Sequence, residues 1–286
     1  MQRRRFRPRH AVIFALLSVL ALPVCWAVWF MLSAALMPLD ELKQNFGPVL
    51  LAYNGMANSP LLPAYPTLQP LTELLFDTPQ FFVMFWNSFK LVVPAVLGQL
   101  LIGAPAAWAL SRLRFRGRQL LQTLYIVLML LPFQVTMVPN YLMANTLGLI
   151  DTPWSVVIPF ACSAFPVFIM SKSFDAVPYA LLEAARVDGA GYLRTFCSIG
   201  LPLGVPGILS ALVLGFLECW NAIEQPLLFL KNPANWPLSL YLPQIAADKL
   251  SVAMAASLFM LAPAALIFLF GQKYLILGIQ SAGVKE

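Results

Sequence analysis

The stretch FVMFWNSFKLVVPAVLGQLLIGAPAAWAL, Phe82 to Leu110, carries one charged residue, Lys90, in 29 positions. A helix crosses the hydrocarbon core of a bilayer with about 20 apolar residues, because it satisfies its own backbone hydrogen bonds where no water can. Five more runs of this kind follow the same reading: Ala11 to Met37, Leu120 to Met143, Trp154 to Phe174, Val205 to Leu230 and Val252 to Leu277. The whole chain is 60% hydrophobic and 10% charged, whereas soluble domains carry about 25% charged residues. The expected fold is an all-α membrane protein with six transmembrane helices.

The first run follows Arg3, Arg4, Arg5, Arg7 and Arg9. A secretory signal core is only about 7 to 15 residues, so this longer run reads as a retained anchor, and the same length argues against a twin-arginine signal. With the N-terminus inside, Arg112, Arg114, Arg116, Arg118, Lys172, Arg186, Arg194, Lys273 and Lys285 join the five arginines on the cytoplasmic side. Only Lys43, Lys90, Lys231 and Lys249 fall outside or near the outer face, fourteen against four. Lys/Arg bias of this kind sets orientation during insertion, so both termini are expected to be cytoplasmic. The net charge of +6 is then a topology signal and a contact for anionic membrane lipid, and no nucleic-acid partner is expected.

Several chemistries are unavailable. His10 is the single histidine, which leaves no histidine-based metal or catalytic cluster. Cys25, Cys162, Cys197 and Cys219 form no CxxC pair; three lie in apolar runs, where thiols pack as small hydrophobes, and neither a disulfide nor a metal site is expected. No GxxxxGK[ST] loop is present, so nothing in the chain could cradle nucleotide phosphates. Catalytic residues, metal ligands and cofactor-binding residues are all expected to be absent, and the chain is not expected to be an enzyme.

Prolines recur within the spans (Pro94, Pro105, Pro132, Pro139, Pro159, Pro166, Pro226, Pro263), and each favours a kink. The outer loop 38–80 holds six prolines from Pro48 to Pro79, which excludes a long helix and suits an ordered cap or a partner-facing loop. Trp236 and Tyr241 suit an interfacial position in the second outer loop, Lys231 to Leu250.

Between the fourth and fifth runs lies DAVPYALLEAARVDGAGYLRTFCSIGLPLGVPG, Asp175 to Gly207. Pro178 suits a helix start, and Gly189 suits a left-handed residue at a helix end. A second short helix carries Tyr192, Phe196 and Ile199 at i, i+4 and i+7, until Gly200 and Pro202 stop it. The pair is expected to present these three side chains as an apolar ridge to the cytosol, which a docked partner would cover.

These residues resemble the signature of permease subunits of binding-protein-dependent ABC importers, an EAA loop ending in glycine and followed by an apolar stretch and a proline. The match is Glu183, Ala184, Ala185, Asp188, Gly189 and Ala190, then Ile199, Leu201, Pro202 and Leu203. The resemblance covers nearly the whole chain and is strongest to the carbohydrate-importer class, the second permease of the maltose type. The tail from Gly278 to Lys285 is similar to the family's ending, Asn87 and Ser88 match its Asn-Ser pair, and Trp220, Asn221, Pro226 and Leu227 match W-N-x4-P-L. Ala222 stands where the family has glutamate, and Glu224 comes two residues later, which leaves the solute open.

The resemblance implies an inner-membrane permease working by alternating access. Its partners would be a second permease in a heterodimer, two ATPase subunits that hold the ATP and Mg, and an external solute-binding protein delivering a sugar or oligosaccharide. It divides the chain into a basic N-terminus, 1–10, and one permease domain, 11–286, whose two-helix EAA coupling loop, 175–204, seats in the ATPase. The ATPase-docking residues would be Glu183, Ala184, Ala185, Asp188, Gly189, Tyr192, Phe196 and Pro202.

Glu218, Asn221 and Glu224 or Gln225 recur at i, i+3 and i+6 or i+7, one face of a continuous fifth helix. An ionisable residue in the bilayer costs at least ~2.5 kcal/mol unless it faces protein or water. With Trp220 they are the candidate translocation path; the alternative is that Glu218 joins helices as structural glue. Gln99, Gln134 and Asn140 are lesser candidates. An ion-coupled secondary transporter using Glu218 and Glu224 remains a competing reading, though it has no use for the helix pair. A polyol, glycerol phosphate or other non-sugar solute remains open within the ABC class.

Overall fold

The computed structural model describes residues 8–50, 56, 58, 60–245 and 249–283. The arginine-rich start up to residue 7 and the tail residues Val284 and Lys285 lie outside the described residues. Among the described residues every regular element is helical. In chain order these are α1 (Pro8–Ala34), α2 (Leu39–Leu50), α3 (Gln69–Thr72), α4 (Pro79–Gly98), α5 (Ala104–Arg112), α6 (Arg118–Leu130) and α7 (Phe133–Thr146). There follow α8 (Trp154–Ala161), α9 (Ala164–Asp175), α10 (Tyr179–Val187), α11 (Tyr192–Thr195), α12 (Leu201–Trp220), α13 (Glu224–Phe229), α14 (Leu238–Tyr241) and α15 (Leu250–Gly283). Among the described residues five helices are long and apolar enough to cross a bilayer, and the bent α6 and α7 pair makes a sixth if it is one span.

The in-span prolines act in more than one way: Pro94, Pro139, Pro159 and Pro263 lie inside α4, α7, α8 and α15. Pro105 and Pro202 do not interrupt their helices: π-helical turns, Gln99–Gly103 and Phe196–Gly200, end two residues before each and join α4 to α5 and α11 to α12. A wider turn shifts the carbonyl that the proline ring would otherwise strike. The expectation that Gly200 and Pro202 stop the second loop helix is therefore wrong; the helix runs from Tyr192 to Trp220 as the fifth span.

Pro132, Pro166 and Pro226 sit at real breaks. Leu131 is extended (φ −72°, ψ 125°), the conformation a following proline imposes, and α6 and α7 meet at 105°, so Leu120 to Met143 is not one straight span. Ser163 is likewise extended between α8 and α9, and a ring at Pro166 would strike the Cys162 carbonyl of a continuous helix. Pro226 does the same to Ala222, and α12 ends at Trp220 while α13 starts at Glu224. The expected fifth run to Leu230 is thus two helices.

The chain forms two compact units, residues 1–82 with 244–261, and residues 83–243 with 262–286. In the first, Ala34, Met37 and Leu42 form a small core with Phe30, Phe46, Leu250 and Met254. The proline-rich loop is tied down: buried Glu41 accepts from the amides of Ala64 (2.7 Å) and Tyr65 (3.2 Å), and the Trp29 indole donates to the Leu61 carbonyl (2.8 Å). In the second unit α9 packs against α5 and α12 around Trp108, Met170, Phe174 and Phe196. Gly204 and Gly207 allow this approach, since a Cβ there would meet the Phe174 ring and the Ser173 side chain.

Candidate functional site

The loop helix α10 ends as the sequence implies. Gly189 has φ +76°, its amide donates to the Arg186 carbonyl (3.0 Å), and the Ala190 amide reaches back to Ala185 (2.9 Å). This paired closure requires a left-handed residue, which glycine adopts without a Cβ penalty. Glu183, Ala184 and Asp188 are exposed and Ala185 is half-buried, while Leu182 turns inward to 3% exposure and fixes which side faces out.

The apolar ridge is composed differently from expectation. Tyr192 is 70% exposed, but Phe196 is buried, with its ring 5.8 Å from Trp108 and 6.3 Å from Phe174, and Ile199 is partly buried. The helix turns the i+4 and i+7 positions inward, and the α5 and α9 aromatics cover Phe196. Val187 and Leu193, 88% and 75% exposed, take the outward places beside Tyr192. Pro202 is exposed in the first turn of α12.

Arg112, counted in the sequence only as a topology charge, anchors this region. Its guanidinium is buried and donates from Nε (2.7 Å) and Nη2 (2.5 Å) to the Phe174 carbonyl and from Nη2 to Val177 (2.5 Å). It thereby satisfies carbonyls at the end of α9 and just before α10. A usable signal was present: Ala104, Trp108 and Arg112 recur at four-residue spacing on the buried side of α5.

The expected shared face of Glu218, Asn221 and Glu224 does not form, because the helix breaks after Trp220. The Asn221 amide group caps that end by donating to the Leu217 carbonyl (2.8 Å). Glu224 begins α13 and accepts from Gln134 Nε2 at 3.1 Å on both oxygens. Trp220 is core, stacked on Phe216 at 5.6 Å between ring centres. Gln99 bridges helices by donating to the Phe160 carbonyl (3.0 Å).

Glu218 and Gln225 do come together, lining a cavity of about 310 Å³ with Thr136, Asn140 and Ser163. The three breaks, at Leu131 and Pro132, at Cys162 and Ser163, and after Trp220, all adjoin it. Non-helical backbone within an apolar span is tolerated where it is buried in protein or borders a water-filled space. Cys162 opens onto this cavity, and Cys25 and Cys197 are exposed too; only Cys219 is packed as a small hydrophobe.

A third cluster holds the loop after α13. Asp151 has a left-handed backbone (φ 63°) and its Oδ1 accepts from the amides of Lys231 (3.0 Å) and Asn232 (2.9 Å). Asn87 donates to the Ala234 (2.7 Å) and Trp236 (3.2 Å) carbonyls, and Ser88 Oγ accepts from the Leu238 amide (2.9 Å). The Asn-Ser pair thus has a structural task. Partial burial raises the Tyr241 hydroxyl above the ordinary phenol range, keeping it neutral near this loop.

Residues 99–280 match the family model described as "Binding-protein-dependent transport system inner membrane component". The arabinooligosaccharides transport system permease protein AraQ of Bacillus subtilis (strain 168) is 28% identical over 283 residues, 98% of this chain and 96% of that protein. Protein LplC of the same organism is 33% identical over 173 residues, 60% of this chain and 58% of that protein. A crystal structure of a bacterial ABC transporter involved in the import of the acidic polysaccharide alginate contains a chain with the same fold, at TM-score 0.78 and 23% identity, over 96% of this chain and 99% of that one.

Proposed function

This chain belongs to the family of binding-protein-dependent transport system inner membrane components, and from that premise we propose that it is the second permease of an ATP-driven importer for a sugar or oligosaccharide. It is a multi-pass inner-membrane protein, and its relatives are transport permeases. The observation that carries the reading is α10, which turns Glu183 and Ala184 outward while Leu182 and the carbonyls held by Arg112 fasten its inner side. An exposed helix fastened in this way can pass a push into the spans.

In this reading both termini and the coupling loop 175–204 are cytoplasmic, and the loop 38–80 faces outward. Glu183, Ala184, Ala185, Asp188, Gly189 and Tyr192 contact one of two ATPase subunits, joined by Val187 and Leu193. Phe196 acts from beneath, shaping the junction of loop and span, where Pro202 lies exposed. The ATPases hold ATP and Mg, a second permease completes the heterodimer, and an external binding protein delivers the solute. Hydrolysis in the ATPases drives alternating access, with the cavity at Glu218 and Gln225 on the path. Sugar as solute draws on the AraQ likeness.

Purification of the tagged chain from its native membrane tests this reading. An ATPase and a second permease are expected to come with it, and vesicles holding the complex should import solute only with ATP and binding protein. Purification of the chain alone, with uptake driven by an ion gradient, would overturn the proposal.

A further inference from the structure

Among the described residues that line the cavity at the three breaks, Gln225 has a side-chain group without a partner. Gln225 is 7% exposed, and its Nε2 is buried with no hydrogen-bond acceptor. A buried donor left unmade is destabilising, so an acceptor supplied by a ligand would relieve it. In the same cavity Glu218, exposed within an apolar span, offers acceptor oxygens, and Asn140 offers an amide. Phe133 and Phe160 give it apolar walls. Its volume of about 310 Å³ is at the low end of the about 300 to 1,000 Å³ typical of small-molecule sites.

Convergent donors and acceptors between aromatic side chains suit hydroxyl groups, which both donate and accept. Charge narrows the class further. No Lys, Arg or His is among the residues described as lining the cavity, and Glu218 is its one acidic residue. A second carboxylate, Glu224, is exposed nearby on Gln134 rather than neutralised by a cation. A uronate entering here would meet like charge with no counter-charge.

We infer that this cavity is a solute subsite within this subunit for a neutral polyhydroxylated ring, with the Gln225 amide turning its Nε2, covered in this structure, to donate to a sugar oxygen and Glu218 accepting from a sugar hydroxyl, and that it disfavours acidic sugars of the alginate kind. The inference rests on the permease reading and adds to it the chemistry of the solute and the subunit that holds it.

Cys162, on the cavity wall, supplies the probe. In the assembled importer in vesicles, with Cys25→Ser, Cys197→Ser and Cys219→Ala in this chain, modification of Cys162 by a small methanethiosulfonate is followed on this chain by mass spectrometry. Arabinotriose is expected to slow the modification, and tri-mannuronate is not. Gln225→Met should raise the arabinotriose concentration needed for protection about tenfold, the size of one lost hydrogen bond. Glu218→Gln, a separate variant of nearly equal shape, should let tri-mannuronate protect.

Equal protection by both sugars in the unaltered cavity, or protection unchanged by Gln225→Met, would overturn the inference. So would ATP-driven uptake with no protection of Cys162 by arabinotriose, and in that case the permease reading stands. Absence of both ATPase and uptake would remove the permease reading and the subsite with it.

Discussion

The Arg112 guanidinium lies 4.7 Å from the ring centre of Tyr179, the first residue of α10, while its nitrogens hold the Phe174 and Val177 carbonyls. One side chain at the end of α5 therefore grips the end of α9 and the start of the loop helix together. Hydrogen bonds to a charged group contribute about 1.5 to 3 kcal/mol each, and the ring contact about 0.5 to 2 kcal/mol. Arg112→Ala is expected to destabilise the region by about 3 kcal/mol or more, read as a lower thermal midpoint of the purified complex and faster proteolysis at Val187. Arg112→Lys keeps the charge without the planar fork and should recover less than half of the loss. Wild-type behaviour in Arg112→Ala would show that the grip is incidental.

Asp151 permits a sharper ordering, because its backbone and side chain are separately demanding. An asparagine side chain keeps an acceptor oxygen and tolerates the left-handed backbone, so Asp151→Asn should be nearly silent. Asp151→Gly relieves the backbone but frees the amides of Lys231 and Asn232. Asp151→Ala loses the acceptor and adds strain of about 1 to 2 kcal/mol. Proteolysis near Trp236 should therefore quicken from the asparagine variant to the glycine variant to the alanine variant. Equal rates for the last two would remove the backbone part of the argument.

The spans were legible because long apolar runs leave few alternatives, and the end of α10 was legible because glycine before a short second helix has one common use. What each proline does was not legible. Pro105 and Pro202 sit in unbroken helices with π turns, while Pro132, Pro166 and Pro226 sit at breaks. The local sequences do not separate these cases, since neighbouring helices decide whether freed backbone groups find partners. Glu218 and Asn221 were therefore assigned to a face running on to Glu224 that the break removes. Phe196 failed for a related reason: periodicity identifies an apolar face, but the aromatics of α5 and α9 decide that this one is covered.

The close contact of α9 and α12 predicts steric sensitivity at Gly204. A Cβ there would meet the edge of the Phe174 ring, which is fully buried beside Trp108 at 5.3 Å. Overpacking costs about 1 to 3 kcal/mol. Gly204→Val should lower the yield of folded chain in detergent, and Gly204→Val with Phe174→Leu should regain part of it. No rescue by the second change would mean that the strain lies elsewhere.

The loop helix gives a test of docking that separates geometry from charge. Gly189→Val places a β-branched residue at φ +76°, where strain of about 1 to 2 kcal/mol is expected, and Gly189→Asn should be tolerated. Glu183→Lys leaves the fold intact, because Glu183 is exposed, but reverses charge where the ATPase is expected to sit. Gly189→Val and Glu183→Lys should both lose the ATPase on detergent extraction while remaining inserted. Retention of the ATPase by both would remove the docking assignment.

Orientation can be settled with two single cysteines in a chain whose own four are replaced. Asn58 is exposed, and its amide ties the proline-rich loop to the Asn45 carbonyl at 2.9 Å; Val187 is 88% exposed at the end of α10. From the charge bias of fourteen basic residues against four, these positions are expected on opposite sides of the membrane, the first outside. An impermeant maleimide added to intact cells stripped of any outer barrier should label Asn58→Cys and spare Val187→Cys, and opening the inner face should make the second reactive. The reverse pattern would place α10 where no ATPase can reach it and would overturn the orientation and the docking assignment together.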